Sequence, residues 1–326
     1  MAPDPRTRSR PPRAAGRSGP AAPIFLAALL LGAGAAGESN ETPDPFASLP
    51  PVFGSAQKVL VEPEDTLLDV AYRHRLGFEA VARLNPGIDA WIPDPGTVVE
   101  LPTRYVLPNA EPRGLVINVP EMRLYDFTVG PEPEIFAIAI GDAFDPTLLG
   151  EFRVGAKRTD PAWYVPKSIL EERPGQPLVV PAGPDNPLGS RWMTIGNTTY
   201  GIHGTNVRWS IGRLATHGCV RLYEDEVQRL YERIPSGTPL QILYQPHKWG
   251  RAGATLYLEA HPDPYQRAPD PLAAALEQPR ALGLVQHLDL GLVRRVVEEA
   301  RGIPVAVGQL PGPDATGPVV TSRRPS

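Results

Sequence analysis

The chain has 326 residues and a net charge of −4, from 32 Lys and Arg against 36 Asp and Glu, a balance that excludes a nucleic-acid binder held by a basic surface. Its single cysteine excludes an internal disulfide framework and any zinc site made of clustered cysteines. Forty-two per cent hydrophobic residues can bury a sizeable core, and 41 prolines and 31 glycines mark linkers between about two domains.

Residues 1–37 open with Arg6, Arg8, Arg10, Arg13 and Arg17. An apolar run at 21–31 follows, then small residues to Gly37. Positive start, short apolar stretch and small-residue exit describe a signal peptide for export. The run is shorter than the roughly 20 apolar residues of a membrane-crossing helix, so cleavage near Ala35 is preferred over a retained anchor. Without these residues the rest of the chain is more acidic.

Residues 38–55 are polar and proline-rich, a linker by composition. A short strand is expected at 58–61. Leu67, Val70 and Ala71 then fall at helical spacing, behind a capping box of Thr66 and Asp69. Gly77 is placed to end that helix. Phe78, Val81, Ala82 and Leu84 form a second one, which Asn85-Pro86-Gly87 breaks. A closing strand at 97–101 stops at Pro102. The residues show a compact βααβ unit at 56–103, suited to docking or spacing. The phrases Glu64-Asp65-Thr66-Leu67, Leu84-Asn85-Pro86 and Pro95-Gly96-Thr97-Val98-Val99 make it resemble a LysM module. That resemblance implies binding of the N-acetylglucosamine-containing glycan of peptidoglycan or chitin. The implied contact lies on the loops after the first strand and before the last. Arg73-His74-Arg75 reads as a solvated helix end.

Residues 113–245 read mostly as strands, at 115–119, 123–127, 135–140, 152–154, 192–195, 201–203 and 240–244. Pro120-Glu121 makes a hairpin-like break. One helix stands out, with Tyr223, Val227, Leu230, Tyr231 and Ile234 on one face. Glu224 and Asp225 in its first turn suit the helix dipole. The expected fold class is mainly β, a closed or sandwiched sheet with few helices and a site carried on loops.

The lone cysteine sits in Thr216-His217-Gly218-Cys219-Val220-Arg221. A second histidine lies upstream in Ile202-His203-Gly204-Thr205-Asn206. A single thiol in an exported chain is either buried and inert or in use. The glycine before it, two nearby histidines, Arg221 and a following helix start favour use. Positive charge and imidazole are expected to lower its pKa and supply a base.

His203-Gly204-Thr205-Asn206, Ser210-Ile211-Gly212 and the Thr216 to Arg221 run together resemble the L,D-transpeptidase catalytic domain, or YkuD domain. Threonine stands where serine is common before His-Gly-Cys. Arg221 stands where another branch has asparagine. The resemblance implies a YkuD-like β-sandwich or barrel over 113–245. It implies Cys219 as nucleophile on the carbonyl between the third stem residue, meso-diaminopimelate, and D-alanine. D-Alanine leaves and an amine resolves the acyl-enzyme. His203 is the expected general base, with His217 as supporting or alternative base. The Gly218 and Cys219 backbone N–H groups are the expected oxyanion site. Arg221, Thr205 and Thr216 are expected against the substrate, Arg221 on a carboxylate. No metal or cofactor is required. The other histidines, His74, His247, His261 and His287, read as surface or structural residues.

Residues 246–326 read as a partly helical extension. A strand is expected at 255–259, a helix carries Leu292, Val293, Val296, Val297 and Ala300, and the end reads as disordered. The leading expectation is an exported periplasmic transpeptidase of a Gram-negative envelope. Its partners are the glycan and stem peptides of peptidoglycan. Its acceptor is a second stem, giving a 3–3 crosslink, or a protein such as an outer-membrane lipoprotein. The alternatives are an L,D-carboxypeptidase and a non-catalytic wall-binding protein.

Overall fold

Residues 48–310 are described by a computed structural model. The expected signal at 1–37, the linker as far as residue 47 and the tail beyond residue 310 lie outside the described residues. The last part of the expected linker is not irregular. It holds a strand, β1 (Val52–Gly54), which pairs antiparallel with β4 (Arg104–Val106).

Between them lie β2 (Gln57–Leu60), α1 (Leu67–Arg73), α2 (Phe78–Leu84) and β3 (Val98–Leu101). β2 and β3 pair antiparallel, so the strand–helix–helix–strand order closes on itself. The Thr66 hydroxyl accepts the Asp69 N–H, and the Asp69 carboxylate accepts the Thr66 N–H, the reciprocal cap that the spacing suggests. α1 ends at Arg73, and Gly77 begins α2 instead of ending α1. Val61, Leu67, Val70, Val81 and Val99 form a small core.

The central region is built on a mixed eight-stranded sheet. Its elements are β5 (Leu115–Asn118), β6 (Arg123–Asp126), β7 (Glu134–Ala137), β8 (Ile140–Gly141), β9 (Gly150–Thr159), β10 (Trp163–Tyr164), α3 (Lys167–Glu172), β11 (Val179–Val180), β12 (Arg191–Ile195), β13 (Gly201–His203), β14 (Leu214–Thr216), β15 (Val220–Arg221), α4 (Glu224–Arg233) and β16 (Pro239–Leu243). The strand order is β15-β13-β12-β9-β16-β5-β6-β7. Ala139, just beyond β7, exchanges both backbone hydrogen bonds with Arg221 of β15. The two ends of the sheet therefore meet, giving a mainly β, barrel-like closure. Leu115, Ile117, Phe136, Met193 and Ile202 fill it, with Val227 and Leu230 of α4 packed in.

The chain then forms a third folded unit, where a partly helical extension was expected. β17 (His247–Ala252), β18 (Thr255–Ala260) and β19 (Pro304–Gln309) make an antiparallel sheet in that order. α5 (Pro271–Ala275), α6 (Glu277–Ala281) and α7 (Leu290–Glu299) lie between β18 and β19. Trp249, Leu258, Leu276, Val293 and Val307 are among its core.

Candidate active site

The thiol lies where the sheet closes. β13 and β15 are parallel neighbours, with Ile202 opposite Val220 and His203 opposite Arg221. One residue back, this register sets Cys219 opposite Gly201, whose backbone hydrogen-bonds the sulfur. Side chains two residues apart on a strand point to the same face. Cys219, His203 and Arg221 therefore share one face of the pair.

His203 is buried and stacks on Trp192, with ring centroids 5.5 Å apart. Its Nδ1 lies 2.6 Å from the Gly204 carbonyl oxygen. A carbonyl only accepts, so Nδ1 carries the proton and Nε2 holds the lone pair. Burial, and then the charge of Arg221, press the His203 pKa down to about 3, against the Gly204 and Leu188 carbonyls. Burial likewise pushes the Cys219 thiol up, and Gly201 and Arg221 only partly oppose it. This corrects the expectation of a lowered thiol pKa: enclosure outweighs the nearby charge. At rest both groups, the thiol and the imidazole, are neutral.

Arg221 is partly buried, and its Nε has no hydrogen-bond partner among the described residues. Arg173, just after α3, adds a second positive charge near it. Together they make a place for an anion. Gly218 has φ +94°, and a β-carbon there would lie 2.5 Å from the Tyr200 ring, so this position admits only glycine.

The remaining expected site residues are placed differently. The buried Thr216 donates its hydroxyl to the Cys219 carbonyl at 2.6 Å, which braces the nucleophile's own backbone. The buried Thr205 accepts the Val207 N–H at 3.0 Å. His217 turns to α3, with Nε2 3.1 Å from Glu172 Oε2. Sequence reasoning missed the orienting carbonyl of Gly204, the Trp192 stack and the Tyr200 wall, none of which carries a motif signal beyond Gly204 itself.

Two groups have metal-ligand spacing among the described residues. Glu121, Glu259 and His261 already surround Lys248 Nζ, 2.7 Å from Glu121 and 3.2 Å from Glu259. Asp145, Glu172 and His217 form the other, whose one close contact is the His217–Glu172 hydrogen bond. A hollow of about 240 Å³ adjoins the site, lined by Asp160, Asn186, Ser190, Thr205, Asn206 and Glu224.

A nucleophile, an oriented base and an anion-binding arginine on one face suit acyl transfer through a thioester. The family model for the L,D-transpeptidase catalytic domain, YkuD, matches residues 112–242. An Escherichia coli K12 protein named "Probable L,D-transpeptidase YbiS" is 36% identical over 214 residues, 63% of this chain and 70% of that protein. "Probable L,D-transpeptidase ErfK/SrfK" of Salmonella typhimurium is 32% identical, over 73% of this chain and 81% of that one. "Probable L,D-transpeptidase YcfS" of Escherichia coli K12 is 31% identical, over 87% and 92%.

Proposed function

The chain belongs to the L,D-transpeptidase (YkuD) family of enzymes, which act on peptidoglycan stem peptides, and from that premise we propose what its own residues do. The observation that carries the reading is the shared face of Cys219 and His203, with the His203 tautomer set by Gly204.

Cys219 gives its proton to His203 Nε2 as the sulfur attacks the carbonyl between meso-diaminopimelate and D-alanine. The negative charge that develops on oxygen is met by the Gly218 and Cys219 N–H groups, and one such donor is worth roughly 3–4 kcal/mol. The C–N bond breaks, and the His203 proton leaves with the D-alanine amine. An acceptor amine then attacks the thioester and passes its proton to His203. The C–S bond breaks and the thiol recovers the proton. Starting from a neutral pair, the proton moves with bond formation, so no standing thiolate is needed. Arg221 holds a stem carboxylate.

The 56–103 unit is read as a glycan-binding module and residues 1–37 as the export signal. The acceptor is a second stem or a protein, such as an outer-membrane lipoprotein. The test incubates the chain from residue 38 and its Cys219→Ala variant with disaccharide-tetrapeptide, with and without an amine acceptor. Mass spectrometry reads the products. The expected result is an amine-substituted product that Cys219→Ala lowers by more than about a thousandfold. Loss of D-alanine to water alone would replace transfer by hydrolysis. Product formed equally by the variant would overturn the reading.

A further inference from the structure

Gly204 carries the carbonyl that orients His203, and something must hold that carbonyl in place. Its own N–H donates to the Arg191 carbonyl at 3.3 Å, a long bond. The closer support comes from Glu224, the first residue of α4, five positions beyond Cys219. Glu224 Oε1 accepts the Ser190 N–H at 2.9 Å, the Ser190 hydroxyl and the Gln228 side-chain N–H at 3.2 Å. Those three bonds fix the carboxylate. Its other oxygen, Oε2, is buried and takes no hydrogen bond among the described residues.

Oε2 is pressed against two glycines. A β-carbon on Gly204 would lie 2.1 Å from it, and one on Gly189 would lie 2.2 Å from it. A side chain at Gly204 would displace this carboxylate, and Gly189 is held to glycine also by its φ of +65° and by the Gly204 backbone, 2.8 Å from where its β-carbon would lie. The carboxylate is wedged between the segment before β12 and the residue after the base.

We propose that Glu224 is the positioning residue for His203, acting through Gly204. It packs the start of the helix that follows the nucleophile's segment against the peptide that sets the tautomer of the base. A shift of this peptide lets the imidazole turn, and a misplacement of about 1 Å can cost a hundredfold in rate. The inference rests on the reading of His203 as the base.

The test measures acyl transfer and the His203 ring ¹⁵N shifts in the chain from residue 38. Glu224→Ala is expected to lower kcat about a hundredfold, the scale of such a misplacement, with little change in KM. Its ¹⁵N spectrum should show His203 losing the Nδ1–H form. Glu224→Gln keeps the size and stays folded if Glu224→Ala does not. It should lower kcat about tenfold, with a mixture of tautomers. Gly204→Ala should match Glu224→Ala, and the double variant should lose no more than the worse single, because the two act through one contact. A merely structural role would lower thermal stability and leave the tautomer and kcat unchanged, and that result overturns the proposal. If His203→Ala retains activity, the reading of the base fails instead.

Discussion

At residues 57–101 the flanking unit meets the central sheet through side chains that keep one side in water. At residues 247–310 the tie is made of charges that water does not reach. On the first side, Arg75 pairs with Asp225 at 2.7 Å and lies over the rings of Tyr72 and Tyr223. Arg213 lies over Phe78 at 4.3 Å, and the Tyr223 hydroxyl donates to the Leu76 carbonyl. Gly77 and Gly212 pass so closely that a β-carbon on Gly212 would fall 2.4 Å from Gly77 Cα. On the second side, Glu259 accepts from Arg123, His261 and the Val106 N–H, and Lys248 bonds Glu121. Every one of these charged side chains is buried.

The difference has consequences. Cation–π and partly exposed ion pairs are each worth up to about 1–2 kcal/mol and can be removed singly. A buried charge network is different: removing one partner strands the rest without water or a counter-charge. The first attachment grips residues 207–213, in the segment that joins His203 to Cys219. The second holds the turn between β5 and β6.

The largest expected effect is at Glu259. Glu259→Ala leaves Lys248 and Arg123 short of a counter-charge and should cost about 3–5 kcal/mol in urea denaturation. A loss no larger than that of a surface ion pair would show that water enters this cluster. The pH dependence has a definite sign. Burial raises the Glu259 pKa, but Lys248, His261 and Arg123 more than reverse this and hold it at about 2, below its ordinary 4.5. The stability it contributes is present above 4.5 and is lost as pH falls from there toward about 2.

Gly212→Ala should have a smaller effect. Gly212 has φ +80° and sits against Gly77, so the methyl group meets backbone in a strained conformation. The expected cost is about 1–3 kcal/mol. Hydrogen exchange should quicken in α1 and α2 and stay unchanged in β17 to β19. Equal quickening in both units would mean that the two attachments are not independent.

The βααβ unit was legible because its signals are local. The Thr66–Asp69 cap, the spacing of Val70 and Val81 and the break at Asn85-Pro86 lie within a few residues of their effects. Cys219 and His203 stand out as candidates through their neighbours in the chain. The third unit was legible only in part: the strand at 255–259 and the helix around Leu292 to Ala300 correspond to β18 and α7, while β17 and β19 carried no signal. β17 reads HKWGRA, with no alternation, and β19 begins with proline. Lys248 and Glu259 are of types that are seldom fully buried, and Glu121 and Arg123 lie more than a hundred residues away in the chain. Glu224 read as a first-turn acid suited to the helix dipole. Its packing partner Gly204 is brought to it only by the β13–β15 pairing. Arg75 read as part of a solvated helix end, although it is part of an interface. The thiol pKa was misjudged because charge is visible in a sequence and enclosure is not.

The smallest expected effect runs in the opposite direction, toward greater stability. Glu226 of α4 is buried beside the first attachment, and its Oε2 has no hydrogen-bond partner among the described residues. Burial, with Asp225 adding to it, raises its pKa from 4.5 to about 8, although Arg229 and Arg75 pull it down. The nearest cation, on Arg229, is 3.9 Å away. An unfolded chain releases this proton near 4.5, and the folded chain holds it to about 8. Between those values the folded state binds more protons, so stability falls as pH rises through the window. Glu226→Gln keeps the shape and removes the ionisation. It should stabilise the protein near pH 7.5 and leave its stability almost unchanged near pH 4. Denaturation midpoints at the two pH values measure this. A variant destabilised near pH 7.5 would mean that Glu226 is ionised and held by Arg229 and Arg75. The first attachment would then contain a compensated buried charge like that of Glu259, and the contrast between the two attachments would be one of degree.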